Sequence, residues 1–231
     1  DSANISFDQT GAEELTVNSA TITTGAGAIS ITNDKTTTID LATTTDGDIS
    51  VSADSGDLTL TSLTAGGAGN ISGTTTTSGD IFVGVLTAAA SKVTLTSVGA
   101  INDDAADTTT DIAVSTGTIT LVAASGIGNS QALELAGQSI SADTTTGAID
   151  LDNDSTTTGA VTVTSLTTST GSITFDQTGS ESLTVLQAKS TTAGNIAITN
   201  DDAITVTLGT TADGKIDITA TGGDLTLTTV T

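Results

Sequence analysis

Residues 47–61 read Gly-Asp-Ile-Ser-Val-Ser-Ala-Asp-Ser-Gly-Asp-Leu-Thr-Leu-Thr, and this stretch contains two units of one design. In each unit a Gly-Asp pair is followed by two branched apolar residues that flank a hydroxyl residue, Ile49-Ser50-Val51 and Leu58-Thr59-Leu60. A period of two puts apolar and polar side chains on opposite faces of an extended chain, and glycine suits the turn before it. The stretch therefore predicts two short, half-buried β-strands joined by a tight turn.

The same apolar-x-apolar unit recurs along the whole chain, and units start about ten residues apart. Alternate units are separated by about 20–24 residues in most of the sequence. A coil of this length that carries two or three short strands is typical of a parallel β-solenoid, in which like residues stack from coil to coil. The sequence therefore predicts an all-β fold in which residues 1–231 form one continuous β-solenoid.

We assign the strands to two ladders from this spacing. One ladder contains Ile5, Ile29, Ile49, Ile71 and Val93 and then Ile149, Ile173, Ile196 and Ile216; the other contains Leu15, Ile39, Leu58 and Ile81 and later Val161, Leu183, Val206 and Leu225. The step from Val93 to Ile149 is much longer than the others, and residues 94–148 hold weaker strand patterns. Two coils or one long insertion would both fit this region.

The sequence also has a repeat that is much longer than one coil. Residues 5–64 align with residues 173–231 with one single-residue gap, and more than half of the aligned positions are identical. Residues 5–172 then form one full super-repeat of about 168 residues, and residues 173–231 begin the next. At about 4.8 Å per coil, a super-repeat of about seven coils would add about 34 Å of length. We expect the chain to be a window on a longer fibre, although an arbitrary boundary would give the same pattern.

Composition excludes several classes of function. The chain has 4 lysines and no arginine against 27 acidic residues, a net charge of −23, which argues against a nucleic-acid partner. It has no His, Cys, Tyr, Trp, Met or Pro, so most nucleophiles and general acid–base groups are missing and we expect no catalysis and no required cofactor. No run of apolar residues is long enough for a transmembrane helix, so we expect no membrane insertion.

Three coil units, Gly-Asp-Ile-Ser-Val at 47–51, Gly-Asp-Leu-Thr-Leu-Thr at 56–61 and Gly-Asn-Ile-Ala-Ile-Thr at 194–199, resemble those of filamentous haemagglutinin-like exoproteins and related giant bacterial adhesins with β-strand repeats. The resemblance extends over essentially the whole chain and rests on a low-complexity pattern. It implies a right-handed parallel β-helix in a long fibre that is secreted to the bacterial cell surface.

Acidic and amide residues follow several strands and are candidate cation ligands. Hard cations such as Ca²⁺ prefer oxygen ligands, which stacked carboxylates at a solenoid corner could provide. The other interpretation is that these residues cap turns and keep the surface soluble. The candidates are Asn33, Asp34, Asn102, Asp103, Asp104, Asp152, Asn153, Asp154, Asn200, Asp201 and Asp202.

Thr-x-Thr triplets with an apolar centre also recur, and on one flat face they could bind ice or glycan. Their irregular positions favour the simpler interpretation, that they are outward-facing strand formers. The triplets begin at Thr21, Thr59, Thr94, Thr118, Thr162, Thr205 and Thr226.

The sequence thus predicts a structural or adhesive extracellular fibre segment of a giant tandem-repeat bacterial surface protein. Its expected partners are adjacent repeats of itself, divalent cations and host or surface glycans. One alternative is a filament or surface-layer subunit that stacks end to end through the strand edges at Ile5, Phe7, Leu225 and Leu227. A further alternative is an ice-binding or glycan-binding solenoid.

Overall fold

The computed structural model describes residues 3–105, 107–154 and 159–231. In these ranges the chain forms a parallel β-solenoid of about ten coils of roughly 22 residues, with no helix. The described ranges contain 25 strands: β1 (Ile5–Gln9), β2 (Leu15–Val17), β3 (Ala20–Ile22), β4 (Ile29–Asn33), β5 (Thr37–Ile39), β6 (Ala42–Thr44), β7 (Ile49–Ser55), β8 (Leu58–Ala65), β9 (Ile71–Ser78), β10 (Ile81–Ala88), β11 (Lys92–Ser97), β12 (Ile101–Asp103), β13 (Ile112–Val114), β14 (Thr118–Ala123), β15 (Leu133–Gly137), β16 (Ser139–Thr144), β17 (Ile149–Asp154), β18 (Val161–Thr170), β19 (Ile173–Thr178), β20 (Leu183–Val185), β21 (Ala188–Ala193), β22 (Ile196–Asn200), β23 (Ile204–Thr211), β24 (Ile216–Ala220) and β25 (Leu225–Val230).

The strands form two parallel sheets, and the chain alternates between them as it winds. The first sheet contains β1, β4, β7, β9, β11, β14, β16, β18, β20, β21, β23 and β25, and the second contains the remaining strands. The fold class and the coil length predicted from the sequence are confirmed. The part of the chain that the structure describes has no helix with the length and apolarity needed to cross a membrane.

Like residues stack in register between coils, which explains the short aliphatic units. In the first sheet Ile29 pairs with Ile49 and Ile49 with Ile71, and all three side chains are fully buried. Branched side chains in identical positions pack efficiently in a narrow core between two sheets about 10 Å apart. Burial of these columns removes apolar surface from water and is the main stabilising contribution to the rod.

The first ladder assigned from spacing is correct up to Val93 and wrong after it. Val93 pairs with Ile119, and Ile119 with Ile140, so these residues continue the first sheet. Ile149 and Ile173 instead belong to the second sheet, in a column that runs back through Ile127 and Ile101 to Ile81. Residues 94–148 therefore contain further coils and not one long insertion.

The second assigned ladder also changes sheet. Leu15 pairs with Thr37 in the second sheet, so Ile39 lies opposite Val17 and not opposite Leu15. The later members of that ladder, Val161, Leu183, Val206 and Leu225, lie in the first sheet. The regular coil spacing holds locally, but it does not show which sheet a strand belongs to.

This change of sheet means that the super-repeat holds a half-integral number of coils. From β1, seven steps along the first sheet lead to β18, and β19, which starts the second copy, lies half a coil further, in the second sheet. The repeat therefore spans seven and a half coils, or about 36 Å at about 4.8 Å per coil. The predicted value of seven coils was too small because the coils average roughly 22 residues.

Glycine in the turn before a strand allows the coils to stack closely. A Cβ added to Gly47 would overlap the carbonyl oxygen of Gly27, and one added to Gly214 would overlap that of Gly194. No side chain fits so close to the backbone of the preceding coil, so both positions require glycine. Gly47 and Gly214 are equivalent positions in the two copies of the repeat.

Candidate functional site

Three carboxylates from different parts of the chain meet on the second sheet. Asp103 ends β12, Asp111 immediately precedes β13, and Glu134 lies on β15. Strand β10 pairs with both β12 and β13, and β13 pairs with β15, so the three residues occupy neighbouring positions on two successive coils. One oxygen from each carboxylate lies within 4.8 Å of the others. We call Asp103, Asp111 and Glu134 the acidic cluster.

Each carboxylate of the acidic cluster is held by a hydrogen bond to one oxygen. The amide of Ala105 donates to Asp103 Oδ1 at 3.0 Å, and the amide of Glu134 donates to Asp111 Oδ2 at 2.9 Å. Gln131 Nε2 donates more weakly to Glu134 Oε1, at 3.4 Å. These bonds fix the orientation of the three carboxylates.

Two other oxygens of the cluster are buried without a partner. Asp103 Oδ2 and Glu134 Oε2 are shielded from solvent and accept no hydrogen bond. Asp103 and Glu134 are half-buried as whole residues, and Asp111 is only 4% exposed. Buried polar atoms normally have partners, and the burial of unpaired carboxylate oxygens is costly.

The electrostatics of the cluster oppose full ionisation. Burial raises the pKa of Asp111 to about 9, although the hydrogen bond from the Glu134 amide acts in the opposite direction. A side-chain hydrogen bond with Glu134 and the negative charges of Asp103 and Glu134 raise this pKa further. Burial also raises the pKa of Asp104, with contributions from Asp103 and Asp107. In the described part of the chain the one ion pair joins Lys215 to Asp217, so no lysine within ion-pair distance neutralises the cluster.

A column of carboxylates extends from the cluster along the rod. Glu134 lies opposite Asp152, and Asp152 lies opposite Asp176, in strict parallel register. Burial raises the pKa of Asp152, and Asp176 is the largest charged contributor. A cavity of about 160 Å³ opens beside this column and is lined by Thr108, Thr110, Glu134, Leu135, Asp152, Asn153, Asp154, Asp176 and Thr178.

The structure separates the predicted cation ligands into two groups. Asp103 lies in the acidic cluster, and Asp152, Asn153 and Asp154 line the cavity. Asn102 and Asp104 flank the cluster in sequence, and the Asn102 side-chain oxygen accepts a hydrogen bond of 3.4 Å from the amide of Asn129. Asn153 is the exception, since its buried amide bonds the backbone of Gly137 and the side chain of Gln177. The other candidates belong to one acidic region on the second sheet.

The remaining candidates lie at two equivalent corners. Asn33 and Asn200 are fully buried and donate to backbone carbonyls of the following turn, those of Lys35 and Ala203 respectively. Asp34 accepts from the amide of Gly11 at 2.9 Å, and Asp201 accepts from the amides of Gly179 and Ser180 at 3.1 and 2.9 Å. Asp202 is half-buried beside the second corner. Asp34 and Asp201 thus cap turns in the preceding coil, as Asx side chains commonly do.

Sequence reasoning missed Asp111, Glu134 and Asp176. Asp111 and Glu134 are isolated acidic residues and do not belong to an Asn-Asp run. They join Asp103 only because the parallel register of β10, β13 and β15 places positions one coil apart side by side. A correct coil register for residues 94–148 was the signal that could have found them.

Hydroxyl residues form a column on the outer face of the first sheet. It runs through successive coils from β1 to β16 without interruption: Ser6, Ser30, Ser50, Ser72, Thr94, Thr120 and Ser141. The Thr-x-Thr triplets are divided between the sheets, since Thr59 lies in the second and Thr94 in the first. Ice or glycan binding stays a prediction from the sequence.

The predicted assembly edges are exposed strands. Phe7 is 44% exposed on β1, and Leu225 and Leu227 are 44% and 47% exposed on β25, whereas Ile5 is half-buried. In this chain β1 pairs with one neighbour, β4, and β25 with one neighbour, β23. Both strands therefore offer unpaired backbone groups and apolar side chains.

Comparisons of the chain with protein-family models, with curated proteins and with solved structures give no match. The class that the geometry defines is a parallel β-solenoid with repeated coils.

Proposed function

We propose that this chain is a segment of a structural or adhesive extracellular fibre built from tandem copies of the super-repeat. The observation that supports it most is the junction between the two copies at residues 172 and 173. There β19 of the second copy pairs with β17 of the first along all six residues, from Ile149–Ile173 to Asp154–Thr178. One copy thus leads into the next without a linker or a break in register.

A continuous junction matters because a solenoid coil contacts only its neighbours. Stability then adds coil by coil, and copies that continue one another in register extend a single rod. Long backbone ladders around a dry aliphatic core make such a rod stiff and resistant to proteolysis. The net charge of −23 would keep neighbouring rods apart in solution.

The cell-surface location rests on resemblance alone. The coil units at 47–51, 56–61 and 194–199 are similar to those of filamentous haemagglutinin-like exoproteins and giant β-strand-repeat adhesins. In our proposal the fibre is therefore secreted by a bacterium and stays at the cell surface, where its faces are available for adhesion.

Two measurements test the proposal. The intact native chain, run under strongly denaturing conditions, should have a mass many times 22.4 kDa. Arrays of one, two and three super-repeats should form rods whose length in solution scattering increases by about 36 Å per copy, as seven and a half coils require. A native mass near 22.4 kDa, or arrays that behave as flexibly linked beads, would overturn the tandem-fibre proposal.

The exposed edges favour a second candidate, a subunit that stacks end to end. Phe7 on β1 and Leu225 and Leu227 on β25 are apolar and carry unpaired strand backbone, and a non-closing head-to-tail contact produces filaments. A native mass near 22.4 kDa together with concentration-dependent filaments would support this candidate. Phe7→Asp and Leu225→Asp should then abolish the filaments while each chain stays folded.

A further inference from the structure

We propose that Asp103, Asp111 and Glu134 bind one divalent cation, with Ca²⁺ as the fitting ion, which links two successive coils of the solenoid. This inference goes beyond the fibre function, since a rod of the same architecture needs no metal. It rests on the geometry of the acidic cluster and on its two unpartnered buried oxygens.

The distances suit a shared cation. Ca²⁺ binds oxygen at about 2.3–2.6 Å, so two ligands on opposite sides of one ion are separated by about 4.8 Å. One oxygen from each of the three carboxylates lies within 4.8 Å of the other two. This spacing is close to that of oxygens that share one ion, so small side-chain adjustments would bring all three carboxylates onto it.

The hydrogen bonds leave suitable atoms for the ion. Local donors hold Asp103 Oδ1 and Glu134 Oε1, while Asp103 Oδ2 and Glu134 Oε2 have no partner and no contact with solvent. The amide oxygens of Asn33 and Asn200 at the two corners are also buried without a partner, but they are neutral. Asp103 Oδ2 and Glu134 Oε2 belong to carboxylates, for which burial without a partner is far more costly. A bound cation satisfies both oxygens at once.

The charge balance also favours a divalent ion. Three carboxylates crowd together, and no lysine lies within ion-pair distance of them in the described ranges. The chain has no histidine or cysteine, so a site with borderline or soft ligands is not available, and carboxylates select hard cations. The acidic column of Asp152 and Asp176 beside the cavity provides a negative approach path and room for bound water.

The position of the cluster suggests what the ion does. Eight residues lie between Asp103 and Ile112, whereas two lie between their register partners Val83 and Leu86 on β10. Asp103 and Asp111 therefore stand at the two ends of an excursion from the ladder. Glu134 lies on the next coil. A cation held by all three would close the base of the excursion and fasten it to the coil above.

Calcium titration calorimetry on the whole chain, stripped with a chelator, tests the site. About 150 mM KCl suppresses diffuse binding to the net negative charge. We expect one saturable Ca²⁺ site per chain, weakened at least about tenfold in Asp111→Asn and in Glu134→Gln. The matched control is Asp201→Asn, a turn cap outside the cluster, which should keep the wild-type affinity.

Binding that is absent, that does not saturate or that is unchanged in both cluster variants would overturn the proposal. Hydrogen exchange of the wild-type chain adds a test that needs no variant to fold. Ca²⁺ should increase protection at residues 107–114 and 133–137 and leave residues 5–64 unchanged, whereas a uniform change would contradict a localised site. The rod-length and mass measurements are unaffected by either outcome, so failure of the cation site and failure of the fibre function are distinguishable.

Discussion

The two copies of the super-repeat share most of their sequence but occupy opposite sheets. Ile29 of the first copy lies in the first sheet, and its equivalent Ile196 lies in the second. The two sheets of the solenoid are therefore interchangeable environments, since the same short strands satisfy both. A feature carried once per super-repeat would appear on alternate faces of a tandem rod, about 36 Å apart along its axis.

The copies also differ in burial, although their residues match. Phe175 on β19 is fully buried between its register partners Leu151 and Ile198, while its equivalent Phe7 on β1 has one register partner, Ile31, and is 44% exposed. The reverse holds at the other end, where Leu58 is buried and its equivalent Leu225 is 44% exposed. In a solenoid, burial depends on the coils above and below and not on the strand itself.

The largest expected difference is in disulfide formation, which tests which strands are neighbours in each sheet. Engineered cysteines can be used because the described residues contain no cysteine of their own. Thr94 and Thr120 are register partners in the first sheet, and neighbouring strands are about 4.8 Å apart, a spacing that a disulfide can bridge. Thr94→Cys with Thr120→Cys should oxidise to near completion, as measured by mass spectrometry.

The matched control is Thr94→Cys with Asp150→Cys, positions that would be neighbours if residues 94–148 were one long insertion in the first ladder. Asp150 pairs with Thr174 in the second sheet, so this pair should not form a disulfide. Efficient cross-linking of the control would show that the strands of Val93 and Ile149 are neighbours in one sheet. It would contradict the half-coil offset between the two copies.

Truncation of the two equivalent phenylalanines should lower the free energy of unfolding by different amounts. Phe175→Ala leaves a cavity in the core and should reduce the free energy of unfolding by about 3–5 kcal/mol. Phe7→Ala removes a half-exposed side chain and should cost about 1 kcal/mol. Equal losses in urea-induced unfolding would show that β1 has a buried partner in solution, as in end-to-end stacking.

Stability should depend on pH more strongly in residues 101–154 than in the duplicated segments. The raised pKa values belong to Asp104, Asp111, Asp150 and Asp152, all in that stretch, with Asp111 raised to about 9 from 3.8. Between these two values the folded state holds a proton that the unfolded state has lost, so stability falls as pH rises. Asp103 and Glu134 face Asp111 and reinforce this direction.

With a chelator present, hydrogen-exchange protection of residues 107–154 should therefore be higher at pH 5 than at pH 8, while residues 5–64 change little. In the first copy Asp54 has a lowered pKa, because Thr76 and Thr77 donate hydrogen bonds to it. Asp111→Asn should remove much of the pH dependence. A chain that gains protection from pH 5 to pH 8 in residues 107–154 would contradict the electrostatics described for the cluster.

The smallest expected difference in stability is between variants of the buried asparagines Asn33 and Asn200. Asn33 donates to the carbonyls of Lys35 and Thr36, which also accept from the Thr37 hydroxyl and the Leu15 amide. Asn200 donates to the carbonyl of Ala203, which also accepts from the Leu183 amide. The loss of these bonds in Asn33→Ala and in Asn200→Ala should cost about 1 kcal/mol. Asn200 also donates to the Glu181 carbonyl of the preceding coil, whereas Gln9 bonds the equivalent Glu13 carbonyl in the first copy. Asn200→Ala should therefore be the more destabilising in thermal unfolding.

Asn18→Ala, at an exposed position, is the control for these two variants and should be neutral. If Asn33→Ala and Asn200→Ala are both neutral too, the inner amides do not stabilise the turns.

The sequence by itself determined the strands, the turns, the coil length and the long repeat. Units such as Ile49-Ser50-Val51 show these directly, because alternation and turn chemistry are local properties of a few residues. The buried columns of Ile29, Ile49 and Ile71 followed from the same pattern, as did the candidate ligands Asp103 and Asp152.

Only the tertiary structure decided which sheet each strand joins and which carboxylates meet. Coil length is not constant, since the coil from Ile29 to its partner Ile49 is shorter than the coil from Val93 to its partner Ile119. Small differences therefore accumulate, and the sheet of Ile149 cannot be read from spacing. Asp111 and Glu134 become neighbours of Asp103 only once the parallel register between coils is known. Contacts between coils depend on the summed length of the intervening chain, which no short motif encodes.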